Sequence, residues 1–309
     1  IMTAIDPKIF GKVAVLLGGT SSERQVSLWS GEAVLEALLR KGVDAHGIDT
    51  QEVNLATYLI EQKFDRVMNN LHGGYGEDGT IQALLTYLNI PYTGSGMLGC
   101  AIGMDKLHTK AIWQAKGLPV LQTFELKTEE DVARVADMGI FPLAVKPSAD
   151  GSSVGVSKVE RKEDLLNAWK NAQGKSGTIF AEPWIVGQGE YTCAILNGHA
   201  LPLIRMETDL AFYDFDAKYL RDDTRYFCPC GLDVEIEAKI QKICEDAFHA
   251  VSGEGWGRVD LVLDQNGLPW LLEVNMSPGM TGHSLVPMAA KATGLDYDSL
   301  CLEILKTSL

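Results

Sequence analysis

The sequence predicts an α/β protein that opens with a doubly wound parallel sheet, and three observations carry that prediction. Apolar strand patterns alternate with helical ones between Lys12 and Leu88, separated by glycine-rich turns. Further on, Lys146 runs straight into a glycine- and serine-rich loop, Ser148 to Gly155. Near the C-terminus two extended runs each carry a carboxylate among apolar residues across an Asn-Gly turn. At 309 residues the chain exceeds one ordinary core and suits two or three domains.

Lys12 to Leu17 is a continuous apolar run and reads as the first strand. Gly18-Gly19-Thr20-Ser21-Ser22-Glu23-Arg24 follows as a turn, and Val26 to Arg40 as a helix stopped by Gly42. Amide groups at such a helix start suit an anion, but no G-K-[ST] or G-x-G-x-x-G is present. Glu23 sits where the helix dipole favours a carboxylate, so it is either a capping residue or a ligand-binding one. Strands are expected at Val43–Ile48 and Arg66–Leu71, a helix at Thr80–Leu88 and a short strand near Tyr92. Ligands gather at the carboxyl ends of parallel strands, and His72, in H-G-G-Y-G-E-D-G, sits at that edge.

Thr93-Gly-Ser-Gly96 closes the first domain, and Met104-Asp105-Lys106 opens a helix that runs to about Lys116. Phe141 to Pro147 and Val156–Val159 are strands around the loop, which can fold over phosphates or be an ordinary mobile connection. Lys146 favours phosphate, because a buried ammonium needs an anion. A strand ends at Ile179 to Ile185, and another begins with Glu190 after Val186-Gly-Gln-Gly189. Phe212 to Cys228 has little periodicity and is aromatic-rich, as a lid would be. Leu232 to Val251 is a helix with core spacing, Ser277 to Pro287 is a turn-rich entry to another, and Tyr297 to Leu305 is the last.

Composition narrows the class: 46% apolar and 22% charged residues fit a globular protein, and no apolar run is long enough to span a membrane. The formal charge of −14, with no basic cluster, argues against a nucleic-acid surface. No signal-peptide pattern is visible, and the six cysteines are scattered apart from Cys-Pro-Cys at 228 to 230. Reduced thiols in a cytoplasmic protein are expected.

The hairpin carries the chemistry. Arg258–Leu263 and Leu268–Val274 flank Asp264-Gln265-Asn266-Gly267, so Asp260 and Glu273 lie on neighbouring strands, with Asn275 on the face of Glu273. Carboxylates in half-buried strands need compensation. Hard oxygen donors that leave room for phosphate oxygens suit Mg²⁺, and Arg258, on the face of Asp260, could hold a phosphoryl group. A buried Arg-Asp-Glu ion-pair network without metal is the alternative.

Together G-R-V-D, L-L-E-V-N, S-P-G-M-T and H-S-L-V-P resemble the ATP-grasp superfamily and, within it, the D-alanine:D-alanine ligases, over essentially the whole chain. The resemblance implies an ATP-grasp fold: a substrate domain at 1–95 and two α+β subdomains at 96–188 and 189–309 that clasp ATP. It implies ATP-dependent ligation of two D-alanines through an acylphosphate, for peptidoglycan precursors. Two Mg²⁺, with Mn²⁺ as a substitute, would be held by Asp260, Glu273 and Asn275. By the same resemblance Lys106, Lys146, Lys218 and Phe212 serve the nucleotide, and Glu182 accepts from the adenine amino group. The Trp184 to Ile185 backbone would pair with the ring edge, and Glu190 would take the ribose. Glu23 receives the first ammonium, linked through Ser152 to Tyr219, and Tyr219 favours an amine nucleophile over D-lactate. Arg258 and the Gly279 N–H stabilise the oxyanion, while His72, Ser284 and Leu285 bind substrate. Two departures stand out: Pro183 removes a donor beside the adenine, and the linker before Glu190 is a residue longer than expected. A homodimer is compatible with the resemblance. Rival readings are another carboxylate–amine ligase of the superfamily, a Rossmann oxidoreductase and a nucleotide-sensing module without turnover.

Overall fold

A computed structural model describes residues 6–151, 155–207 and 224–309. Its first sheet is parallel, in the order β2-β1-β3, from β1 (Lys12–Leu17), β2 (Asp44–Asp49) and β3 (Arg66–Asn69). Helix α1 (Arg24–Arg40) packs Val34, Ala37 and Leu38 against Val13 and Val15. On the opposite face α2 (Leu55–Glu61) and α3 (Thr80–Tyr87) bring Leu59, Ile81 and Leu85 onto Ala14, Leu16 and Val67. Helices on both faces explain why β1 is apolar throughout rather than alternating. The strand expected near Tyr92 is a single bridge to Val67.

Two helices lead out of this unit, α4 (Met97–Met104) and α5 (Lys106–Ala115), joined at Asp105, whose side chain caps α5 by accepting from Leu107 N and His108 N. The next sheet is antiparallel, β4-β7-β5-β6, from β4 (Phe124–Glu125), β5 (Leu143–Pro147), β6 (Ser157–Val159) and β7 (Ile179–Pro183). It is backed by α6 (Glu129–Asp137) and α7 (Leu165–Ala172) around Val132, Leu143, Val145, Leu165 and Ala168.

A second antiparallel sheet runs β11-β10-β8-β12-β13, with β9 paired to β8. Its strands are β8 (Gly187–Leu196), β9 (His199–Ala200), β10 (Ile204–Glu207), β11 (Arg225–Phe227), β12 (Trp256–Asp264) and β13 (Pro269–Asn275). Period-two alternation sends Val259, Leu261 and Leu263 into a core with Cys193, Ile195 and Phe248 of α8 (Val234–Ala250). Arg258, Asp260 and Val262 therefore share the other face. Gly257 is required by α8, since a Cβ there would lie 2.4 Å from Phe248 Cε2. Two C-terminal helices, α9 (Leu285–Ala292) and α10 (Tyr297–Lys306), close the chain, and Leu300, Ile304 and Leu305 join the core under α1.

The sequence misses α2, α4, α6 and α7. Helix α6 starts at a complete capping box, Thr128 with Asp131, and that signature was readable. Helix α4 contains two glycines, and packing rather than propensity makes it: a Cβ on Gly99 would meet Ser252 O at 2.3 Å. Among the described residues all six cysteines are free, and no helix is long and apolar enough to cross a membrane.

Candidate functional site

The two antiparallel sheets face each other across a cleft of about 1010 Å³, counting its solvent-open part. Its walls include Lys146 of β5, Glu182 of β7, Trp184 and Ile185 of the connection, Glu190 of β8, and Asp260 and Glu273 of the hairpin. Opposite β12 the register shifts between Leu263↔Gly189 and Asp264↔Gly187, leaving Gln188 unpaired as a bulge. Thus Glu190 keeps its place, opposite Val262 and Met206.

At the inner end, Glu182 is 1% exposed and lies between two ammonium groups. Lys146 Nζ is 2.5 Å from Oε1 and Lys110 Nζ 2.9 Å from Oε2. Burial alone would raise this carboxyl, but Lys110 and Lys146 outweigh it and hold the group below the usual carboxylate range. Oε2 accepts no hydrogen bond among the described residues, the Lys110 contact being an ion pair outside hydrogen-bond geometry. The Trp184 N–H donates to Pro142 O at 2.9 Å, continuing the sheet, so the expected pairing with the adenine edge falls to the Trp184 carbonyl and the Ile185 backbone.

At the outer end, Asp260 pairs directly across the strands with Glu273, and Arg258 with Asn275. Arg258 clamps Asp260 with Nε to Oδ1 and Nη2 to Oδ2, both at 2.8 Å, and Thr192 Oγ1 donates to Oδ1 at 2.6 Å. Lys106 Nζ lies 3.2 Å from Glu273 Oε2 and donates to Asp150 O at 2.7 Å. Asn275 Oδ1 accepts from Ser277 N at 3.1 Å. The ion pairs of the metal-free alternative are thus present, yet both carboxylates border open space. Among the described residues no three His, Cys, Asp or Glu groups converge as a ready metal cage. Two carboxylates and an amide oxygen are a partial, hard donor set, which fits Mg²⁺ completed by phosphate oxygens and water and fits Zn²⁺ poorly.

A second cavity, of about 610 Å³, adjoins the first. Lys106, Asp150 and Glu273 border both, and Glu23, Glu77, Gly151, Arg258 and Asn275 line the second. Glu23 reaches it because α1 starts beside the paired glycines of its turn. Gly18 and Gly19 have φ of +76° and +75°, and a Cβ on Gly18 would lie 2.3 Å from Asp49 Oδ1. Asp49 instead grips Arg24, at 2.9 and 2.6 Å, which holds the turn and keeps its own carboxyl below the usual range. Burial pushes the Glu77 carboxyl up, His72 pulls it back, and Glu23 adds to the upward push.

His72 is 5% exposed; it is not among the residues lining the second cavity but borders a third, with Gly19, Ser21 and Tyr75. Nδ1 is 3.0 Å from Ser277 O and Nε2 is 3.1 Å from Ser30 Oγ, which itself accepts from Met280 N at 3.0 Å. Facing a carbonyl oxygen, Nδ1 carries a proton and donates to Ser277 O. The residue therefore fixes the turn on either side of Gly279, which is buried. Ser284 caps that turn, its Oγ accepting from Thr281 N at 2.9 Å. The Leu285 side chain is in the core with Met280 and Val286, so what it can offer substrate is backbone at the start of α9. Ser152, Phe212, Lys218 and Tyr219 lie outside the described residues.

Sequence reasoning missed Lys110, Thr192, Ser30 and Glu77. The i,i+4 spacing of Lys106 and Lys110 was a usable signal. Glu77 stood inside the His72 motif, whereas Ser30 and Thr192 carry no local mark.

Two facing antiparallel sheets that close on a cleft lined by lysines and carboxylates, beside a parallel-sheet unit, define an ATP-grasp protein. Comparison with known proteins gives the family. The model of the D-ala D-ala ligase N-terminus matches residues 44–95, and that of the D-ala D-ala ligase C-terminus matches 112–306. A D-alanine–D-alanine ligase of Methylococcus capsulatus is 53% identical over 299 residues, covering 97% of this chain and 96% of that protein. One of Acinetobacter baumannii is 52% identical over 303 residues, with 97% of each covered. The crystal structure of the Bacillus anthracis D-alanine–D-alanine ligase complexed with ATP superposes with a TM-score of 0.83 at 33% identity, covering 96% of this chain and 97% of that one. A D-Ala:D-Ser ligase of Enterococcus faecalis also gives 0.83, at 26% identity, covering 96% and 99%. This chain belongs to the D-alanine–D-alanine ligase family.

Proposed function

We propose that the protein uses ATP to join two D-alanine molecules into D-alanyl-D-alanine, in the cytoplasm, for peptidoglycan precursors. One observation carries the reading: Lys106, Asp150 and Glu273 border both cavities. A γ-phosphoryl group seated in the first then meets a carboxylate seated in the second. In this reading units 1–95, 96–188 and 189–309 act as substrate domain and two ATP-clasping subdomains, and a homodimer is compatible.

A carboxylate does not condense with an amine in water until one oxygen becomes a leaving group. Glu182 and the backbone near Ile185 would receive the adenine, and Glu190 the ribose hydroxyls. Lys106 and Lys146, with Lys218, would neutralise the phosphates. Asp260, Glu273 and Asn275 would hold two Mg²⁺, with Mn²⁺ as a substitute, which supply charge neutralisation between the phosphates. Glu23 would hold the ammonium of the first D-alanine, in a chain with Ser152 and Tyr219. The carboxylate takes the phosphoryl group from ATP, leaving ADP and an acylphosphate. The amine of the second D-alanine, seated by Ser284 and the Leu285 backbone, attacks the carbonyl. Arg258 and the Gly279 N–H would hold the developing oxyanion until phosphate leaves. His72 would keep Gly279 in position through Ser277 and Ser30. Phe212 belongs to the segment that would cover the nucleotide and exclude water.

The test is phosphate release from ATP with D-alanine, against L-alanine, D-serine and D-lactate. D-alanine alone should give rapid release with equimolar ADP and dipeptide. Release that needs no D-alanine, or that prefers D-lactate, refutes the reading.

A further inference from the structure

Helix α5 begins with a lysine and carries another four residues on, an arrangement the helix dipole opposes at its first turn. Lys106 reaches Glu273 of β13. Lys110, 2% exposed, contacts Glu182 of β7 at 2.9 Å and donates to Leu271 O of β13 at 3.0 Å. Lys110 is not among the residues lining the cleft, so it does not touch a nucleotide there.

The bond to Leu271 has a particular location. The hairpin register shifts between Asp260 and Leu261, leaving Leu272 unpaired immediately before Glu273. At that bulge the Leu271 N–H goes to Pro119 O at 2.9 Å, and its carbonyl accepts from Lys110. The backbone leading into Glu273 is thus held by α5 and the segment that follows it. At the Glu182 end, one carboxylate faces two ammonium groups, of which Lys146 borders the cleft. If Lys146 turned to phosphate without a second cation present, Glu182 would stay buried and unpaired, which is costly.

We propose that Lys110 is a positioning residue for the nucleotide: it balances Glu182 so that Lys146 is released to the phosphates, and it holds the strand that presents Glu273. This rests on the nucleotide reading of the cleft. Burial lowers the proton affinity of Lys110, Glu182 offsets only part of that, and the Lys146 ammonium adds to the fall.

The test is equilibrium binding of ATP with Mg²⁺ and no D-alanine, alongside steady-state KM values for both substrates, all on the full chain. Lys110→Met should raise the ATP Kd at least tenfold while the D-alanine KM changes less than twofold. Lys110→Arg should recover part of the loss. In a Glu182→Gln background, where no carboxylate needs balancing and only the bond to Leu271 is lost, adding Lys110→Met should raise ATP Kd by less than a third of its effect beside Glu182. A Lys110→Met protein that binds ATP within twofold of wild type overturns the proposal. So does an equal rise in both KM values, or the full effect persisting beside Glu182→Gln. Should Lys110→Met fail to fold, Lys110→Gln takes its place: a rise of at least tenfold in ATP Kd, partly recovered by Lys110→Arg, is expected, and a Kd within twofold of wild type overturns the proposal. A wild-type protein that binds no ATP fails the nucleotide reading itself, and the proposal with it.

Discussion

Replacing Arg258 by methionine leaves Asp260 in place with its principal counter-ion gone, and the structure sets the size of the effect. The two side chains are 9% and 13% exposed and share two bonds of 2.8 Å, so water cannot replace the guanidinium well. Thr192 still donates, which softens the loss without neutralising the charge. Breaking a buried pair from one side costs about 3–5 kcal/mol, which at roughly 2 °C per kcal/mol for a chain this long lowers Tm by about 6–10 °C. Removing both charges in Arg258→Met with Asp260→Asn should return the protein to within about 1–2 kcal/mol of wild type, because no unpaired charge is left. Urea unfolding at pH 7.5 in EDTA, followed by circular dichroism, measures both. A single variant that costs under about 1 kcal/mol, or a double variant no more stable than the single, refutes the burial argument.

Two further predictions concern pH. Glu77 has a folded pKa raised by burial, so its contribution to stability is full below the unfolded value and is lost as pH rises through the folded one. Glu77→Gln should therefore melt above wild type at pH 8 and level with it near pH 4, and a wild type that is the more stable at pH 8 contradicts this. Asp49 is the opposite case, its pKa lowered chiefly by Arg24, so its contribution is present above the unfolded value and is lost as pH falls through the folded one. With Arg24 and Asp49 side chains 32% and 19% exposed, Asp49→Asn should cost no more than about 1 kcal/mol at pH 7, the difference shrinking as pH falls below the usual carboxylate range.

What the sequence disclosed followed from local physics. The Asp264 to Gly267 turn, with Gly267 at φ +76°, set the register from Leu263↔Pro269 to Leu261↔Leu271, and a bulge at Leu272, which no local pattern marks, then brought Asp260 opposite Glu273. The apolar β1 and its glycine turn announced a two-sided sheet. Contacts made across elements were not legible: the spacing of Lys106 and Lys110 marks one helix face but not that β7 folds against Lys110, and Thr192 looks like a strand threonine until it meets Asp260. His72 was selected by its motif but sends both nitrogens to Ser277 and Ser30, partners 205 and 42 residues away, which no local pattern encodes. That the Trp184 N–H is taken by Pro142 O was equally invisible, because a backbone N–H near a ligand can also extend the sheet.

The account turns on whether Asp260 and Glu273 grip a divalent ion and, through it, a triphosphate. Glu273→Gln keeps the shape and can still accept from Lys106, so the fold should hold, with Tm within about 2–3 °C of wild type for a partly exposed group. The deciding measurement is Mg²⁺-dependent phosphate release from ATP with D-alanine by that variant. A fall of at least about a hundredfold, some 2.7 kcal/mol of transition-state stabilisation, is the predicted result. Turnover at the wild-type rate with the same Mg²⁺ dependence would contradict it.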